Sequence, residues 1–447
     1  MRAQVVDAVG PFSPFWRERF TALGRTASQV GTLSGLRQLP AAGERDVCPD
    51  GDPAGAASLV LQTKESDYAL HADGPSLRKA LGRRLAAPGS YRAQLEADTR
   101  PTSYVYAGQA LRFPVASTRS DLDVVARAGA RLWQVLGLTS TDIVVSALSA
   151  ASTALVQGLS LAALGASSPL FAPGNDRDDV VGALRLVAAT VLVVPATGGA
   201  DLLARLGEVR ADLSSVTTVL VAGAPDGQER AALADAVASI VRGRAVVLAV
   251  HVPDGHRLLW GECRESAGRT GLHTYPDLEV VQTVDPETGQ DPGQQGPYEV
   301  VLTQLGLRGT ALLRWRTGDL ADGVDERACP SCGRNVPRVT GLRGGALVPE
   351  LLLRTGTRPV DLRAVASALS GRPDVSDWRV VLGRSVRDGS DELLVHVLPP
   401  AQSAPEDVAV AVARDLRLSA GLLPSQVIVS DDGWLPDGTG LSTRLLT

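Results

Sequence analysis

The chain has 447 residues, 44 of them Lys or Arg and 49 Asp or Glu, for a formal net charge of −5. That length holds one large domain plus a small one, and the mild acidic balance with no evident basic face argues against nucleic acid as a partner. No apolar run reaches the ~18–20 residues that span a bilayer, no apolar stretch after Met1-Arg2-Ala3-Gln4 makes a signal peptide, and four cysteines make no disulfide framework, so a cytoplasmic protein without membrane association is expected.

Residues 11–23 read as an amphipathic helix, and 40–60, rich in Gly, Ala, Asp and Pro, as loop. From about 119 to 250 two patterns alternate. Helices are predicted near 119–136, 150–164, 176–189, 199–212 and 226–241, and strands at 142–146, 190–194, 218–221 and 245–250. The strand runs are short, continuous and β-branched, which implies a mainly parallel sheet covered on both faces with right-handed crossovers. No repeat has a solenoid period.

From 257 to 316 strands and turns take over. Asp285-Pro286-Glu287-Thr288-Gly289 is a strong turn signal, followed by predicted strands at 297–303 and 311–316. Beyond 339–345 a helix near 361–370, strands near 377–382 and 391–398, a helix near 405–418 and a strand near 426–430 make a small α+β unit. Gly344-Gly345 supplies a flexible joint ahead of it.

Two motifs stand close together: Arg314-Trp315-Arg316-Thr317-Gly318-Asp319-Leu320, then Cys329-Pro330-Ser331-Cys332-Gly333-Arg334. An Arg-Thr-Gly-Asp turn leading into a Cys-x-x-Cys-Gly knuckle resembles the phenylacetate–CoA ligase branch of the adenylate-forming (acyl-activating) enzymes. These join a carboxylic acid to ATP and pass the acyl group to a thiol. The Asp-Pro-x-Thr-Gly loop at 285–289 and Glu262-Cys263 followed by Gly271-Leu272-His273 fit the same pattern. The resemblance covers most of the chain and is strongest from 257 to 341.

The resemblance implies the α/β adenylate-forming fold. A large N-terminal domain with mainly parallel sheets would cover 1–341, its β-rich zinc-knuckle part about 257–341, and a small mobile α+β domain would cover 344–447. Asp319 is then the acid that accepts the ribose hydroxyls of the nucleotide, a task suited to a carboxylate with its two acceptor oxygens, and Arg316 stands three residues before it. Thr-Gly-Asp is also good turn chemistry without any ligand. Relatives are often dimers, so the resemblance allows a homodimer without requiring one.

Cys263, His273, Cys329 and Cys332 supply three thiolates and one imidazole, a donor set for a closed tetrahedral zinc site. With no open coordination position the metal would be structural, clamping the hairpins of 257–316 to the 329–340 loop. The plain alternative is reduced thiols and a surface histidine. Cys48 has no partner of this kind and reads as a lone thiol.

Three catalytic parts of the family pattern are broken. Thr102-Ser103 begins like the family's phosphate loop, but Tyr104-Val105-Tyr106-Ala107-Gly108-Gln109-Ala110 follows, with one glycine and no lysine, and bulky side chains block close backbone approach to phosphate. The magnesium-binding Glu expected after Val250 is missing from His251-Val252-Pro253-Asp254-Gly255-His256; Asp254 is a substitute oxygen ligand or simply part of a Pro-Asp-Gly turn. Leu441 stands where the C-terminal lysine belongs, and Arg444 nearby does not replace it. Only two lysines exist, Lys64 and Lys79. Losing such a transition-state contact costs ~3–4 kcal/mol. The hinge acids are also gone from Gly341-Leu342-Arg343-Gly344-Gly345.

All three losses serve adenylation, so they count against ATP or AMP as a working cofactor. The expected activity is ATP-independent transfer of an acyl or aryl group held as a thioester, with CoA or a carrier protein's phosphopantetheine as the thiol, in a biosynthetic pathway. His251 and His256 are the only imidazoles near the implied acyl pocket around 215–260, and a histidine in a turn is expected to face solvent. A non-catalytic binding or scaffold homologue is the second reading. The third is a true AMP-forming ligase whose phosphate contacts come from Arg100, Arg112 and Arg119.

Overall fold

The computed structural model describes residues 1–48, 53–62, 70–72, 74–86, 99–107, 113–150, 152–225, 227–241, 245–266, 269–292, 296–343, 347–348, 360–361, 368–369, 372, 374–375, 377–384, 391–399, 405–419, 423–430 and 440–443. Pro101–Ala107 (β1) and Phe113–Thr118 (β2) form an antiparallel hairpin. Val144–Ser146 (β3), Leu170–Phe171 (β4), Val191–Pro195 (β5), Thr218–Ala222 (β6) and Val246–His251 (β7) then lie parallel in the order β4-β3-β5-β6-β7.

Both faces of this parallel half are covered. Leu192, Val194, Val219 and Val221 pack with the helices Arg177–Leu186, Gly199–Glu208 and Gly227–Ile240. The alternate residues Val191, Val193, Leu220 and Leu248 pack with Arg119–Val135 and Thr153–Ala166. Side chains alternate along a strand, so two apolar layers require an unbroken apolar run, which is what the sequence carries. Each fully buried Val or Leu contributes about 1.5–3 kcal/mol.

The large sheet does not stop at β7. Trp260–Glu262 (β8) and Leu272–His273 (β9) continue it antiparallel. Glu279–Val284 (β10), Tyr298–Gln304 (β11) and Trp315–Ala321 (β12) make their own three-stranded antiparallel sheet. Gly323–Asp325 (β13) and Arg338–Thr340 (β14) return to the large sheet, which runs β7-β8-β9-β14-β13 at this end for nine strands. The sheet is therefore mixed, parallel on one side of β7 and antiparallel on the other.

Leu347–Val348 (β15) pairs with Val360–Asp361 (β16). Asp377–Arg384 (β17), Asp391–Leu398 (β18), Gln426–Val429 (β19) and Gly440–Thr443 (β20) form a sheet in the order β19-β18-β17-β20. The helix Pro405–Ser419 joins it through Val408, Val412 and Leu416, which meet Val380, Leu393 and Val395 in a separate core.

Three local expectations are corrected. The helix predicted over 11–23 is interrupted at Ser13, which caps Pro14–Ala22 by accepting from the Trp16 amide; an extended Ser with Pro after it starts a new helix rather than continuing the old one. The 40–60 stretch contains helical turns at Glu44–Val47 and Pro53–Leu59. The strand predicted at 311–316 starts at Trp315 and runs to Ala321, so it contains the whole Arg-Thr-Gly-Asp motif instead of ending at its first residue.

Candidate functional site: a buried His–Asp pair and a cysteine–histidine cluster

Cys263 lies directly after β8, His273 ends β9, and Cys329 and Cys332 lie in the loop between β13 and β14. Pairing of β8 with β9 and of β9 with β14 brings these together. All four ligand atoms lie within 4.8 Å of one another. Cys263 Sγ is 3.8 Å from Cys329 Sγ, and Cys332 Sγ is 3.7 Å from His273 Nε2. A tetrahedral ion with ~2.3 Å metal–sulfur bonds would set its sulfurs ~3.8 Å apart, so the donor set and its spacing fit a zinc-sized ion.

The electrostatics favour the ligand forms of His273 and Cys329 and oppose that of Cys263. Burial, with Arg338 and Arg334 nearby, lowers His273 to about 4 and keeps its imidazole neutral. Burial alone would raise Cys329, but the amides of Cys332 and Ser331 and the Thr270 hydroxyl outweigh it and bring the thiol to about 7. Burial pushes Cys263 up. Cys48 is a buried reduced cysteine away from this cluster.

The Arg-Thr-Gly-Asp stretch is a bulge in a strand. β11 and β12 pair Val301 with Arg316 and Glu299 with Leu320, so three residues, Thr317 to Asp319, face the single residue Val300. Gly318 has φ 70°, a conformation that costs a side-chain-bearing residue about 1–2 kcal/mol. The bulge is held by its own polar groups: Thr317 Oγ1 donates to Val300 O at 3.0 Å and accepts from the Asp319 amide at 3.1 Å, and the Gly318 amide donates to Glu299 Oε1. The turn residues noted in the sequence thus serve a bulge.

The bulge aims Asp319 inward. Its Oδ2 lies 2.9 Å from Nε2 of His251, the last residue of β7, and the pair is buried at 1% and 7% exposure. Arg316 bonds Glu299 through Nε at 2.7 Å and the Pro286 carbonyl at 2.6 Å. Burial raises the Glu299 carboxyl, and the Arg316 guanidinium opposes that. The 285–289 loop closes on itself, with Asp285 accepting from the Thr288 amide and hydroxyl. Asp319 and Arg316, the two residues assigned to the nucleotide by resemblance, therefore meet a histidine and a buried glutamate.

His251 and His256 do not face solvent, which corrects the expectation for both. His256 does follow a turn, with its amide donating to Pro253 O and Gly255 at φ 72°. Its ring, however, is 2.5 Å from Glu279, and Gln304 meets its Nδ1. Glu279 also accepts from Trp260 Nε1 and the Tyr275 amide. Gln304 continues to Arg257, and Arg257 to Asp121. Glu262 is committed as well, paired with Arg230 at 2.6 Å and accepting from the Ala249 amide. The missing signal was long-range: Asp319 lies 68 residues from His251, and Glu279 lies 23 from His256.

The segment that begins like a phosphate loop is strand through Ala107, paired with β2 from Pro101↔Thr118 to Ala107↔Phe113. The Tyr106 amide donates to Thr153 Oγ1 at 2.9 Å, and Ser103 Oγ accepts from Gln157. Tyr104 and Tyr106 project outward at 58% and 54% exposure. Residues 108–112, with Arg112, lie outside the described residues, as do Gly344, Gly345 and Arg444. Leu441 sits in β20 opposite Val380. Among the described residues no helix is long and apolar enough to cross a membrane.

No protein-family model matches the chain, and no curated protein matches it. Solved structures do. A 2-hydroxyisobutyryl-CoA ligase in the postadenylation state, in complex with R3-HIB-AMP, superposes with a TM-score of 0.61 at 15% identity, covering 99% of this chain and 88% of that one. The same enzyme with 2-HIB-AMP gives 0.60 at 16% identity over 100% and 85%. In an open conformation with 2-HIB-AMP and CoA it gives 0.57 at 16% over 99% and 89%.

At such identities the likeness shows the fold, and the fold is the adenylate-forming one: a large α/β body with a separate C-terminal domain. The similarity read from the sequence holds at the level of the fold.

Proposed function

We propose that this chain is a divergent phenylacetate–CoA ligase-like protein that transfers an acyl or aryl group between thiols without ATP. The observation that carries the reading is the His251–Asp319 pair: the carboxylate that would bind ribose is already buried against a histidine. The strand at Pro101–Ala107, where close phosphate contact would need a pliant glycine loop, supports it too. What remains of the ligase cycle is its thiol half, for which CoA or a carrier protein's phosphopantetheine is the acceptor. Neighbours of this fold with bound CoA support that route.

The reading includes a structural zinc held by Cys263, His273, Cys329 and Cys332, which would tie β8, β9 and the β13–β14 loop together. It divides the chain into 1–341, with the β-rich part from about 257, and 344–447. It sets the protein in a cytoplasmic biosynthetic pathway, where the four reduced cysteines would persist.

The test is thioester exchange. Benzoyl-CoA and free pantetheine are incubated with the purified protein, with and without ATP and magnesium, and benzoyl-pantetheine is measured. Exchange independent of ATP is expected. Benzoyl-CoA formed from benzoate only with ATP would replace this reading with a true ligase, and silence in both across a panel of acyl and aryl thioesters would favour the scaffold.

A further inference from the structure

We propose that His251 is the general base of the thiol-transfer step and that Asp319 positions it. The inference rests on the proposed transfer activity and names the residues that would perform it.

Geometry assigns the two ring nitrogens. Nε2 lies 2.9 Å from Asp319 Oδ2, so this nitrogen donates its hydrogen to the carboxylate and Nδ1 keeps its lone pair. Among the described residues the His251 ring has no second hydrogen-bond partner. Nδ1 is also absent from the polar atoms shut away from solvent without a partner. The base nitrogen is thus not fully sealed, although His251 as a whole is only 7% exposed, while its orienting acid Asp319 is closed off at 1%.

Position agrees. His251 ends β7, one residue beyond Val250, which pairs with Ala222 at the end of β6; Ala222 in turn pairs with Pro195 at the end of β5. Ligands of parallel α/β sheets bind outside the carboxyl ends of the strands. A histidine there, with one nitrogen fixed by a carboxylate, has the base-and-orienter arrangement of nucleophilic acyl transfer. His256, five residues on, lacks this freedom, because Glu279 and Gln304 engage both of its nitrogens.

The step balances without a nucleotide or an oxidant. Nδ1 takes the proton of the incoming thiol as its sulfur bonds to the thioester carbonyl carbon. The tetrahedral intermediate collapses, the bond from carbon to the departing sulfur breaks, and the proton passes from Nδ1 to that sulfur. Acyl group and thiol exchange places, and His251 is restored.

The test compares wild type, His251→Ala, His251→Gln and Asp319→Asn in benzoyl-CoA–pantetheine exchange, after circular dichroism has shown each to be folded. Gln can keep a hydrogen bond to Asp319, which guards against a loss of structure. Both His251 variants should lose about 10²–10⁴ in kcat, the worth of a positioned base. Added imidazole should restore part of the His251→Ala rate in proportion to its concentration, which a structural role would not allow. Asp319→Asn should lower kcat more than it changes KM.

If wild type exchanges thioesters and the His251 variants match it, or if imidazole leaves His251→Ala unchanged, the dyad is wrong while the transfer reading stands. If wild type shows no exchange with any acyl or aryl thioester, the transfer reading fails and the dyad with it.

Discussion

Asp121 binds three parts of the molecule through one buried carboxylate. It accepts from the Thr118 amide at the start of its own helix, from the Arg308 and Gly309 amides, and from the Arg257 guanidinium. Both Asp121 and Arg257 are essentially inaccessible to solvent. Removing one member of such a pair leaves a desolvated charge, so Asp121→Ala should cost about 3–5 kcal/mol, read as a lower urea midpoint. The proposed zinc site is tested by a different loss. Wild-type protein should carry one zinc per chain by elemental analysis, and Cys329→Ser should carry far less and melt lower. Zinc-free wild type with an unchanged melting temperature would dismiss the structural role. The gathering of Cys263, His273, Cys329 and Cys332 was legible because their residue types alone restrict them to a short list of roles. His251 and His256 were not, because burial of a histidine depends on a carboxylate that the chain delivers from a distant strand.

At the scale of elements, the helices Arg119–Val135 and Thr153–Ala166 cross where neither has bulk. A Cβ on Gly129 would stand 2.2 Å from Ala162 Cα, and one on Gly165 would stand 2.0 Å from Ala126 O. Backbones this close depend on glycine. Gly129→Val should therefore force the helices apart and cost about 1–3 kcal/mol by overpacking; a thermal melt indistinguishable from wild type would show that the crossing is looser than described. Both helices were foreseeable from their 3.6-residue apolar period, and the parallel strands from their β-branched runs. The bulge at Thr317–Asp319 was not, since Thr, Gly and Asp favour turns and bulges for the same reasons: a positive φ at Gly and hydroxyl or carboxylate groups that bond nearby amides.

For the whole molecule, the parallel half of the large sheet and the C-terminal unit could be anticipated, because each repeats a pattern over many residues. The antiparallel half could not. Trp260–Glu262, Leu272–His273, Gly323–Asp325 and Arg338–Thr340 are two or three residues long, too short to show a period, and their order in the sheet follows from pairing across intervening chain. That half presents the cysteine–histidine cluster, while β7, at the junction of the two halves, presents His251. Fold alone does not fix activity here: the architecture is that of adenylate-forming enzymes, whereas Asp319 bonds to His251 and Arg316 to Glu299.

Calorimetric titration of ATP with magnesium into the full-length protein tests this most directly. The internal commitment of Asp319 and the strand at Pro101–Ala107 predict no binding up to millimolar ATP. Saturable binding in the micromolar range would mean that Asp319 leaves His251 to take the ribose, and would contradict the account of an adenylation site turned to other chemistry.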